Sequence, residues 1–112
     1  SFKETGDSSY KIITLAEGSY NINELMTEIK SKLETNSTNT LTYTFTYSEI
    51  TNSVSITHSN TANITTNFDF TNIYSCRRML GFLSGINNIS NSTPTITSSR
   101  AVDITDTYNI YL

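Results

Sequence analysis

The feature that most constrains this chain is one amphipathic helical stripe set among segments that alternate with period two. Ile22, Leu25, Met26, Ile29 and Leu33 follow one another at spacings of 3, 1, 3 and 4, which puts them on one face of a 3.6-residue helix. Asn21 stands where an N-cap belongs, and Glu24 stands three residues on, completing a capping box. Tyr20 and Leu25 occupy the flanking staple positions. Glu28 and Lys32 form an i,i+4 pair in the favourable order. A helix is therefore predicted from about Ile22 to Glu34, stopped by the polar run Thr35 to Thr40. A single helix with one apolar face needs another layer to cover it.

The alternating segments supply that layer. In Leu41 to Tyr47, Leu41, Tyr43, Phe45 and Tyr47 face one way and Thr42, Thr44 and Thr46 the other, the signature of a half-buried strand. This aromatic stripe is read as core in preference to a sugar- or base-stacking surface. Val54, Ile56 and His58 form a second set, and the link Ser48 to Ser53 with Thr51-Asn52 predicts a hairpin. Ile64, Phe68 and Phe70 form a third, with Thr66 on the apolar side, where a bend is expected. Tyr10 to Leu15 is read as a strand with Tyr10 and Ile12 inward and Ile13 as a further candidate. Ala16-Glu17-Gly18 is its turn. Residues 1–9 are read as a flexible lead-in. Ser75 caps a short second helix, Cys76 to Leu80, closed by Gly81; Met79, Leu80, Phe82 and Leu83 are its apolar side chains. Gly85 to Arg100 is read as a long polar loop around Pro94, free to meet a neighbour. A closing strand covers Val102 to Ile104 and Tyr108 to Leu112. The fold expected is α+β: a mainly antiparallel sheet, one packed amphipathic helix and a second short helix, ordered β-α-β-β-β-α-β. A single domain spans residues 1–112. The start at Ser1 and the end inside a strand mark a piece of a longer chain or a processed product.

Composition narrows the function classes. Ser, Thr and Asn make up 49 of the 112 residues, and charged residues only 15%, against roughly 25% in ordinary domains. A net charge of −3 excludes a basic nucleic-acid binder of the usual kind. No apolar run is long enough to span a membrane. A single cysteine, Cys76, forms no internal disulfide.

Chemistry-bearing residues are few. His58 is the only histidine, and no second His or Cys stands at metal-ligand spacing. Cys76 beside Arg77 and Arg78 is a candidate low-pKa thiol, and the two arginines a candidate anion contact at a helix start. Asp69, Asp103 and Asp106 lack the carboxylate spacing of a calcium loop. No catalytic, cofactor-binding or metal-binding residue is assigned, no cofactor is expected, and the chain is read as non-enzymatic.

Four segments in order resemble a module of viral structural proteins. Residues 13–33 (ITLAEGSYNINELMTEIKSKL) resemble its opening strand, acidic-Gly turn, aromatic and capped helix; there Ala16 stands where the pattern often has proline. Residues 45–57 (FTYSEITNSVSIT) resemble its hairpin, residues 77–85 (RRMLGFLSG) its Leu-Gly-Phe segment, and residues 103–112 (DITDTYNIYL) its closing strand. The order is similar to capsid-associated proteins, pentons and spike or fibre parts of large double-stranded DNA viruses, virophages and Polinton-like elements. A looser likeness runs to phage tail and flagellar hook-associated modules. The resemblance implies a virion location and action through subunit packing, with homo-oligomers and other virion proteins as partners. Its alternative is a host-attachment or carbohydrate-binding module with a receptor or glycan as ligand.

Overall fold

The computed structural model describes residues 1–15, 20–71, 80–82, 85–99 and 110–111. Among these the fold is α+β. The elements are β1 (Phe2–Glu4), β2 (Thr14–Leu15), α1 (Ile22–Thr35), β3 (Tyr43–Ser48), β4 (Ser53–His58), β5 (Thr66–Asp69), β6 (Ile86–Ile89), β7 (Thr95–Thr97) and β8 (Ile110–Tyr111). They make two three-stranded sheets, β1-β5-β6 and β3-β4-β7, and a two-stranded ribbon, β2-β8. Every pairing among them is antiparallel.

The helix forms where its stripe predicts. Asn21 is extended at φ −83° and ψ 171°. Its Oδ1 accepts the Glu24 N–H at 2.8 Å, and Glu24 Oε1 accepts the Asn21 N–H at 3.0 Å. Two of the backbone donors that a helix start leaves open are thereby satisfied. Leu25, Ile29 and Leu33 are fully buried, while Ile22, Met26 and Tyr20 pack at the margin of the core. The helix is also tied to the edge of β3. Lys30 Nζ donates to the Tyr43 carbonyl at 2.6 Å, and the Tyr43 N–H donates to Glu34 Oε2 at 2.9 Å.

The predicted hairpin of β3 and β4 forms, with Phe45 opposite Ile56 and Tyr47 opposite Val54. Asn52 takes the left-handed conformation at φ 52° that its turn requires, and its Oδ1 accepts the Tyr47 hydroxyl. The two larger sheets share one core. The Phe2 ring meets Tyr43 edge-on at 6.4 Å, and Tyr43 meets Phe68 edge-on at 6.3 Å, an arrangement aromatic pairs favour. Leu80 and Phe82 are buried in the same core, with Phe82 stacked on Phe70 at 5.1 Å. Gly81 between them has φ 88°.

Four expectations are corrected. Residues 1–9 are not a flexible lead-in: Phe2–Glu4 is a strand paired with β5, and Phe2 is wholly buried. Ile12 does not point inward but is 71% exposed, whereas Ile13 and Leu15 are buried. The run Lys11-Ile12-Ile13-Thr14-Leu15 fits period two in either phase, and the bridge between Lys11 and Phe2 selects the odd one. Gly85 to Arg100 is not a free loop. Ile86–Ile89 pairs with β5 and Thr95–Thr97 with β4, joined through a turn in which Ser90 and Thr93 exchange backbone hydrogen bonds. Its isoleucines and β-branched threonines suit strands, but the segments are too short to show a period. Thr66 does not bend its strand; it opens β5, fully buried and in register with Glu4 and Ile89. The mainly antiparallel β-structure expected is present, as two three-stranded sheets and a ribbon. The Ala16 turn, the Cys76 helix and most of the closing strand lie outside the described residues; of the last, Ile110–Tyr111 pairs with β2.

Candidate functional site

The densest polar cluster is buried at the joint between the two larger sheets. Glu4 ends β1 and is 2% exposed, a depth at which a carboxylate needs partners. Its Oε1 accepts the Asn39 N–H at 3.0 Å and the Asn39 side-chain amide at 3.1 Å. Its Oε2 accepts the Tyr43 hydroxyl and the Ser37 hydroxyl, both at 2.7 Å. Because Tyr43 gives its one proton to Glu4, its oxygen accepts from Thr66 Oγ1 at 2.9 Å. A directed chain therefore runs from Thr66 through Tyr43 to Glu4. Ser37 closes the set by accepting the Leu41 N–H at 2.9 Å.

The local sequence explains these positions. The α1 C-terminus at Asn36 delivers Ser37 and Asn39 in a tight turn, with Thr40 at φ 55°. Tyr43 and Thr66 are the first residues of their strands and point inward by alternation. Burial raises the Glu4 pKa, but the bonds from Tyr43, Ser37 and Asn39 outweigh it and hold the carboxyl below its usual range. Burial pushes the Tyr43 hydroxyl well up, reinforced by its bond to Glu4 and the nearby negative charge. Tyr43 is thus a fixed proton donor. Four donors fill the four lone-pair positions of the Glu4 carboxylate, so no acceptor site is left for a reacting group. The cluster is a cross-sheet tie.

His58 lies beside it, its ring edge-on to Tyr43 at 5.8 Å. It is 5% exposed. Nδ1 accepts the Asn60 N–H at 3.3 Å, which assigns the proton of the neutral ring to Nε2. Nε2 is buried with no hydrogen-bond partner among the described residues. Burial depresses the His58 pKa, and the Glu4 charge opposes that shift.

Asp69, also noted in the sequence, does not join this cluster. Asp69 is occupied by Thr71, accepting its N–H at 3.0 Å and its hydroxyl at 2.6 Å. Cys76, Arg77, Arg78, Asp103 and Asp106 lie outside the described residues. Among the described residues no group of three or more His, Cys, Asp or Glu is placed to hold a metal ion, and no helix is long and apolar enough to cross a membrane. A groove along α1, lined by Thr27, Lys30, Ser31, Glu34 and Thr35, has its charged groups already committed to each other and to Tyr43. Glu4, Tyr43 and Thr66 escaped the sequence reading as a site because no local motif joins them; they meet only when both sheets form.

The second surface is the outer face of β3-β4-β7. Register places Thr44, Thr57 and Thr95 in one row and Thr46, Ser55 and Thr97 in the next. These six side chains carry no charge. Some of the hydroxyls bond within the face, Ser55 to Thr97 at 2.9 Å and Thr57 to the Pro94 carbonyl at 2.7 Å.

No family model, curated protein or solved structure matches the chain.

Proposed function

We propose that this chain is a non-enzymatic structural domain of a virion, a capsid-associated, penton, spike, fibre or tail component that works as a repeated subunit. The observation that carries the assembly reading is the uncharged face of Thr44, Thr46, Ser55, Thr57, Thr95 and Thr97. A surface without charge avoids the desolvation cost of burying ions when it meets its like. The saturated Glu4 cluster supports the non-enzymatic part, because the only buried carboxylate among the described residues is spent on cross-sheet bonding. The virion assignment rests on the resemblance of residues 13–33, 45–57, 77–85 and 103–112 to viral structural modules. Light scattering across a concentration series tests the assembly reading. The expected result is a mass rising above the 12.5 kDa of one chain; a strict monomer at millimolar concentration overturns it.

A further inference from the structure

Sheet edges are where a strand protein controls its association, and here they are covered unevenly. On β1, the outward N–H and C=O of Phe2 pair with Lys11, at 3.0 and 2.7 Å. The Glu4 N–H donates to Asp7 Oδ2 at 2.9 Å, and the Glu4 carbonyl accepts the Asp7 N–H at 3.0 Å. On β3, Tyr43 turns its backbone groups away from β4 and toward Lys30 and Glu34. Strand alternation then turns the N–H and C=O of Phe45 and Tyr47 the same way. Neither residue has a backbone partner on that side among the described residues. The β6 and β7 edges are also open among the described residues, but β6 holds two asparagines in four residues and β7 is three residues long behind Pro94. Both features blunt an edge. β3 is six residues long, free of charge and proline, and built from Tyr, Phe and Thr with Ser48 at its end.

Building on the assembly reading, we infer that β3 pairs antiparallel with β3 of a second copy about a two-fold axis through Thr46. The pattern is self-complementary. With Thr46 opposite Thr46, the N–H and C=O of Phe45 meet those of Tyr47 in the other copy, twice over, giving four backbone hydrogen bonds. The Tyr43 cap selects this register: centring the axis on Phe45 would require Tyr43, whose groups are taken by Lys30 and Glu34. Centring it on Tyr47 would bring Phe45 against Glu49, beyond the end of the strand. On the inner face the same register sets the half-buried Phe45 ring against Tyr47 of the second copy, an aromatic cross-strand pair. On the outer face it continues the rows of hydroxyls across the seam. Paired strands present no net charge to each other, so the occupant this edge fits best is its own copy.

Charge variants at Thr46 test the pairing. The Thr46 side chain is exposed on the outer face, and residues directly opposite repel when like-charged and attract when oppositely charged. Thr46→Lys alone and Thr46→Glu alone are expected to return to the monomer mass, and their equimolar mixture to regain the dimer. Thr97→Lys, on the same face but two strands from the seam, is expected to associate as the unmodified chain does. A mixture that stays monomeric overturns the inference. So does dissociation by Thr97→Lys with none by Thr46→Lys, an outcome that leaves assembly through the open face standing. A monomeric unmodified chain overturns both readings. Should the charged variants fail to fold, Thr46→Cys in a Cys76→Ser background reports the same geometry. Directly opposed Cα atoms about 4.5 Å apart lie within disulfide range, so oxidation is expected to give a covalent dimer at Thr46→Cys and none at Thr44→Cys. The reverse result overturns the register.

Discussion

Tyr43 donates its hydroxyl to Glu4 across 2.7 Å, and that bond joins the first strand of one sheet to the first strand of the other. Both groups are buried, and each depends on the other to be satisfied. The tie makes the N-terminus part of the fold.

Removing one partner should leave buried donors or acceptors unmet, at about 1–3 kcal/mol each. Glu4→Gln is expected to lose about 2–3 kcal/mol, because its amide turns a donor toward groups that themselves donate. Tyr43→Phe is expected to lose about 1–3 kcal/mol. Urea unfolding of both and of the double variant should show non-additivity, since the two residues share one network.

Acid should weaken the fold in two windows. His58 titrates lower in the folded chain than its ordinary 6.5, so the unfolded chain takes up the proton first. Stability is full above pH 6.5 and declines as pH falls through the depressed value. Glu4 is held below its ordinary 4.5; its contribution is full above 4.5 and is lost as pH falls through the folded value. The groups around them are Tyr43, Ser37, Asn39, Thr66 and Asp7, with Lys11 paired to Asp7 at 3.1 Å. Urea midpoints between pH 7.5 and about 3 should follow both declines. His58→Leu should flatten the first and Glu4→Gln the second.

Truncation of the first four residues should act as a core mutation. Phe2 is fully buried against Phe68 and Tyr43, and Phe2→Ala is expected to cost about 3–5 kcal/mol. Thermal unfolding should register a large drop in Tm; an unchanged Tm would return residues 1–9 to the status of a tail.

Asn21→Ala should remove the bond that Asn21 Oδ1 accepts from the Glu24 N–H and cost about 1 kcal/mol. Asn23→Ala, exposed two residues on, should be near neutral, and circular dichroism melts distinguish the two.

Legibility in the sequence followed the length of each pattern. The α1 stripe runs over three turns and carries its own cap, so Ile22–Thr35 was readable to within a residue at its C-terminus. The β3–β4 hairpin was readable because each strand alternates across three inward positions, Tyr43, Phe45 and Tyr47 in one and Val54, Ile56 and His58 in the other. β1, β6 and β7 are three or four residues long, too short to show a period among Ser, Thr and Asn. They form because partners supply the ladder: β5 flanked by Phe2 and Ile89, β4 by Ile96. The Glu4–Tyr43–Thr66 chain was unreadable for a related reason. Its members stand 39 and 23 positions apart, and only tertiary packing brings them together. The open β3 edge was only partly legible. The sequence shows an uncharged alternating strand, but the capping of Tyr43 by Lys30 and Glu34 is a property of how α1 lies on the sheet.

Residue-resolved amide exchange of the unmodified chain, at low and high protein concentration, tests the self-assembly account most directly. The Thr44 and Thr46 amides already lie inside the β3–β4 ladder and should exchange at the same rate in both. The Phe45 and Tyr47 amides should exchange freely when dilute and slow as concentration rises. Exchange rates independent of concentration at every amide would contradict the account.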